Sequence, residues 1–94
     1  MAVVGVLTME LRTEHAHSLK EKRHVVKSLK DRLRHHFNVS VAEIDDQDLH
    51  NSAVLAAATV SSSQDFAARV LQSVERESAV LLGPMLVRAD IEWL

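Results

Sequence analysis

Cysteine is absent from this 94-residue chain. That excludes disulfides, zinc–thiolate sites, iron–sulfur clusters and thiol nucleophiles. Glycine occurs twice and proline once, too few for a glycine-rich phosphate loop, a collagen-like chain or a flexible low-complexity one. Aromatic residues are 3% of the chain: Phe37, Phe66 and Trp93, with no tyrosine. Sheets that read RNA by stacking bases need aromatics on their central strands. None lies on the first or third strand that the patterning predicts, so any RNA contact must run through charge and shape. No apolar run approaches the ~20 residues of a membrane span. Glu10 and Arg12 interrupt the apolar start, and no basic region precedes it. No signal peptide and no membrane association are therefore expected, and the expected location is cytoplasmic.

What is present suits a soluble globular protein: 47% hydrophobic and 26% charged residues. The length fits one domain over residues 1–94, not two. The net charge of −2 hides an asymmetry. Lys20 to His36 holds seven basic residues against Glu21 and Asp31, a balance of +5 that leaves −7 for the rest. An acidic partner would dock there if anywhere.

Val3 to Arg12 reads as a strand, with Val3, Gly5, Leu7, Met9 and Leu11 on one face. Val4 and Val6 open the other face, which turns polar at Thr8, Glu10 and Arg12. Ser18 with Glu21 forms a Ser-x-x-Glu capping box that opens a helix. Leu19, Val26, Leu29 and Leu33 form its apolar stripe, and it should end near His35 or His36. Phe37 to Ile44 reads as a second strand, Asp45 to Asp48 as an acidic turn, and alanine-rich Ala53 to Val60 as a third strand. A second helix follows Ser61–Ser63, with Phe66, Ala67, Val70, Leu71, Val74 and Leu81 on its apolar face. Gly83-Pro84 stops it. Met85, Val87, Ala89, Ile91 and Trp93 then alternate inward with Arg88, Asp90 and Glu92 outward.

The order β-α-β-β-α-β predicts an α+β fold, a ferredoxin-like two-layer sandwich. A four-stranded antiparallel sheet carries both helices on one face. The other face stays open, and its valines, Val4 and Val6, suggest a homodimer through that face.

Two segments carry a resemblance. Val4-Gly5-Val6-Leu7-Thr8, leading to Ala16-His17-Ser18-Leu19-Lys20-Glu21-Lys22-Arg23, is one. Phe37-Asn38-Val39-Ser40-Val41-Ala42-Glu43, followed by Asp46-Gln47-Asp48-Leu49, is the other. Together they resemble the YlxP-like family of small bacterial proteins. The resemblance spans essentially the whole chain, and the Ser-Leu-Lys-Glu-Lys-Arg run is its most specific part. It implies a ferredoxin-like fold in the bacterial cytoplasm and genes near those for translation initiation and ribosome maturation. It supplies no catalytic residues.

The chief candidate site is a basic stripe. Lys20, Arg23, Lys27, Lys30 and Arg34 fall within an arc of about 80° on the first helix, opposite its apolar face. Such a row can follow a phosphate backbone and release counterions. It could equally be a solvated helix face. Lys22 falls on the apolar face, where its stem could lie on the core with the amine reaching water. Alternatively, it holds a loop's carboxylates. Asp46, Asp48 and His50 could ligate a cation, although an acidic turn is commonly plain turn chemistry. No catalytic set, metal site, cofactor or small-molecule substrate is identified. The leading expectation is a non-enzymatic accessory protein touching RNA or the ribosome through the first helix. The alternative is a protein–protein module that dimerises through the open sheet face, and a small enzyme or metal binder ranks third.

Overall fold

The computed structural model describes residues 1–94. β1 (Val3–Arg12) leads to α1 (Leu19–His36), then β2 (Ser40–Asp45), β3 (Ser52–Ser61), α2 (Gln64–Leu82) and β4 (Leu86–Trp93). The strands form one antiparallel sheet in the order β2-β3-β1-β4. The chain therefore has the ferredoxin-like arrangement, with the first and third strands central. α1 packs over β2, and α2 packs over β1 and β3.

Alternation along the strands sends one set of side chains to the helices. Leu7, Met9 and Leu11 of β1 and Ala53, Leu55 and Ala57 of β3 are fully buried against Val26, Leu29, Leu33, Leu71 and Val74. Gly5 stands in this inward row for a steric reason. A β-carbon there would lie 2.6 Å from Trp93 Cζ3 and 2.9 Å from Leu71 Cδ1. Ser18 caps α1 by accepting from the Glu21 amide at 3.2 Å. The Glu21 carboxylate reaches back to the His17 amide at 2.7 Å, one residue beyond the cap.

The fold moves several residues from their expected places. β2 begins at Ser40, because Phe37 is the C-cap of α1 and its amide still bonds to the Leu33 carbonyl. On α2 the buried row is Ala67, Leu71, Val74, Ser78 and Leu82, while Phe66 and Leu81 are exposed. Serine can occupy the core because its hydroxyl donates to the Val74 carbonyl at 2.7 Å. Gly83, at φ 56°, ends α2 as its sequence suggests, but Gly83–Met85 form a 3₁₀ turn and β4 starts at Leu86. A bulge opposite Glu10 and Leu11 brings Leu86 beside Leu11 and leaves Val87 exposed, so Val87 is not an inward residue.

Candidate nucleic-acid interface

Ser18 fixes where α1 begins, and burial of its apolar row against the sheet sets the rotation of the helix. Lys22, Val26, Leu29 and Leu33 are buried. At about 100° per residue the basic stripe lies about 110° round from that row. It is therefore a flank, not the pole opposite the core. The flank is the one over the sheet edge: the Arg34 guanidinium donates to the Val41 carbonyl of β2 at 2.6 Å. Arg32, on the other flank, faces α2 and stands 3.9 Å from Glu77.

The five stripe residues are not equivalent. Lys20 and Arg23 are exposed and Lys30 is half-buried. None of the three enters an ion pair. Lys27 is paired with Asp31 at 2.6 Å one turn on. The Lys27 hydrogen bond holds the Asp31 carboxyl below its ordinary value, with the charges of Arg34 and Lys30 adding to the effect. Arg34 is partly spent on β2. The stripe is thus a row of three free cations with a fourth tied to an anion and a fifth tethered at the end.

Lys22 does not reach water. It is fully buried, its ammonium 2.8 Å from Glu43 Oε2 and donating to the Asp46 carbonyl at 2.6 Å. No other group hydrogen-bonds that carboxylate oxygen. Of the two readings of Lys22, the one holding the loop is what the fold adopts. Glu43 supplies the carboxylate from β2 and Asp46 supplies a backbone oxygen. Asp46 takes a positive φ of 60°, which turns the chain so that its carbonyl meets the ammonium. This clamp joins the start of α1 to the β2–β3 turn. Glu43, its partner, was not named from sequence; it shares inward parity with Val41 on β2, opposite Leu55 of β3.

The acidic turn is internally occupied. The Asp46 carboxylate accepts from the Ser52 hydroxyl at 3.0 Å, and the His50 ring pairs with the Ala16 carbonyl at 3.0 Å. No three His, Asp or Glu side chains stand together as a metal would require. A cluster not expected from sequence joins the two helices: Glu77 of α2 lies 2.8 Å from His36 Nδ1 as well as near Arg32. No helix is long and apolar enough to cross a membrane.

Residues 4–80 match the model of a family described as a protein of unknown function, DUF503. The chain belongs to the DUF503 family. A member from Bacillus subtilis strain 168, the uncharacterized protein YlxP, is 39% identical over 72 residues, covering 77% of this chain and 78% of the relative. The resemblance carried by the Ser-Leu-Lys-Glu-Lys-Arg run is therefore the family relationship itself. Among solved structures the chain is similar to a designed protein with a ferredoxin fold, LFR1. That match has a TM-score of 0.59 and 14% identity and covers 100% of this chain and 84% of the design. A dimeric ferredoxin-like protein of unknown function from Thermobifida fusca gives 0.51 at 14% identity, covering 97% and 90%. At such identities these likenesses establish the fold alone.

Proposed function

We propose that this chain is a non-enzymatic accessory protein that binds RNA, ribosomal RNA included, through the α1 flank over the β2 edge. The observation that carries the reading is the set of unpaired cations on one flank of a helix, Lys20 and Arg23 exposed and Lys30 half-buried. Successive members of the stripe stand three to four residues apart, or about 5–6 Å along the axis. That interval matches neighbouring phosphates on one strand. A row of point charges with no aromatic platform recognises backbone rather than bases.

The test is binding of wild type and Arg23→Glu/Lys27→Glu/Lys30→Glu to RNA and to purified ribosomal particles across a salt series. Helix propensity barely changes, because glutamate and lysine are similar helix formers. The substitution at 27 sets two carboxylates side by side, at a modest cost in stability. Wild-type affinity should fall steeply with salt. The variant should bind weakly at low salt, and its salt slope should be flatter by about 1.4–1.8 units, the two free cations Arg23 and Lys30 being worth about 0.7–0.9 each. A folded variant that binds as tightly as wild type removes α1 from the interface and the proposal with it.

A further inference from the structure

The sheet face that the helices leave open has two unlike halves. Cross-strand neighbours on it are Val4 with Val60, Val6 with Ala58, Thr8 with Ala56, and Ala56 with Ala42. That half, over β2, β3 and the start of β1, is apolar and built from small side chains. The other half follows β4: Glu92 stands beside Val6, Asp90 beside Thr8, and Arg88 beside Glu10. Charge along β4 therefore runs from acidic at the Glu92 end to basic at the Arg88 end. Arg88 donates to Asp90 at 2.7 Å and both remain exposed.

We infer that this face binds a second copy of the chain, packed sheet on sheet about a two-fold axis that crosses the strands at the level of Thr8. Two in-plane axes are open to a face-to-face pair. An axis along the strands lays β4 over β2; Arg88 then meets Asp45, but Asp90 and Glu92 are buried against Ala42 and Ser40 with no countercharge, a costly desolvation. An axis across the strands lays β4 over β4 in opposite directions. Arg88 of each copy then faces Glu92 of the other, while Asp90, in the axis row, keeps its own Arg88. The same operation lays apolar β3 on apolar β3. Ala42, Ala56 and Ala58 near the axis let the sheets close to about 10 Å. The acidic end of β4 is thus matched in one orientation only, by the Arg88 of a second copy, which is why the occupant is a second copy. At about 3.3 Å per residue and about 4.8 Å between strands, the face spans about 500 Å² in projection. Side-chain relief brings its accessible area to the order of the ~800 Å² that each partner gives to a standard interface.

Sedimentation equilibrium of the intact chain, from about 1 to several hundred micromolar, tests this. Wild type is expected to be a dimer in the upper part of that range. Ala58→Glu should sediment as a monomer. Arg88→Glu, on an exposed edge-strand position that leaves folding intact, should weaken the dimer at least about tenfold. Arg88→Glu/Glu92→Arg reverses the gradient and should restore most of the affinity. A wild type that stays monomeric at the top concentration overturns the inference. So does a dimer indifferent to Arg88→Glu, or a double variant no tighter than the single.

Discussion

Replacing Lys22 with methionine should be among the most damaging single changes in this chain, although lysine to methionine is nearly isosteric. The substitution keeps the stem against the core and removes the ammonium, so the Glu43 carboxylate loses its countercharge and the Asp46 carbonyl its donor. Breaking a buried pair by deleting one partner costs about 3–5 kcal/mol. The Glu43 side chain keeps 14% of its exposure, so the lower end, about 3 kcal/mol, is expected. A domain of this size has about 5–15 kcal/mol in total. At about 4–8 °C per kcal/mol, the midpoint should drop by about 12–24 °C. Lys22→Met/Glu43→Leu removes both charges and should return to within about 1 kcal/mol of wild type, since apolar replacement of a buried pair is often neutral. Urea melts of the four proteins close a double-mutant cycle, with an expected coupling of about 5 kcal/mol, since each single variant loses about 3 and the double variant at most about 1. If Lys22→Met melts within about 1 kcal/mol of wild type, the ammonium is not buried against Glu43 in solution, and the clamp is refuted.

Two further outcomes test the local geometry. Gly5→Ala should destabilise by about 1–3 kcal/mol, because its β-carbon would stand 2.6 Å from Trp93 Cζ3. Trp93 is the chain's single tryptophan, so its emission should shift in the same variant, and unchanged emission with an unchanged midpoint would mean that the indole does not lie over Gly5. Ser18→Ala should cost about 0.5–2 kcal/mol through loss of the α1 cap, read as a lower thermal midpoint. An unchanged midpoint would show that the Glu21 amide finds another acceptor.

Period-two alternation was sufficient for β1, and a continuous alanine-rich apolar run for β3; the two strands keep register with each other from end to end. In β4 alternation held from Arg88 to Trp93 and missed only Val87, because a bulge changes parity at the start of the strand, and nothing in Leu86-Val87-Arg88 announces one. On α2 the mismatch had another source. Leu81 lies at the margin of the buried arc and Phe66 well outside it, and hydrophobicity alone outranked Ser78, whose hydroxyl bonds to its own helix and so behaves in the core as a small residue. The basic stripe was legible as an arc of about 80°, but its direction was not. Only the packing of α1 over β2 and the bond from Arg34 to Val41 turn it toward the sheet edge. Lys22 marks the limit of pattern reading. Its core-facing position was plain, yet whether the amine meets water or a carboxylate depended on Glu43, which lies 21 residues on in sequence and on a different element.

The direction of the stripe joins the RNA-binding and dimer readings. In a dimer about an axis that crosses the strands, β2 of one copy lies over β2 of the other, so both β2 edges fall on the same side. Each α1 flanks its own β2, with its cations turned toward that edge. The two stripes therefore open on one side of a four-layer particle. They run antiparallel and stand roughly 30 Å apart, the sum of one sheet–sheet and two helix–sheet spacings. An axis along the strands would instead put the two β2 edges, and both stripes, on opposite sides. Only the first geometry lets a single RNA engage both copies, and a second contact made within an already formed complex draws on effective concentration rather than on new contacts. That matters for this chain in particular. Three free cations per copy are a small electrostatic footprint for a nucleic-acid binder. Two copies on one side reach the roughly 6–10 phosphate contacts at which affinity becomes substantial and steeply salt-dependent. On the two proposals taken together, the open sheet face and the basic helix would act as one device: the sheet would make the dimer, and the dimer would make the footprint large enough to hold RNA.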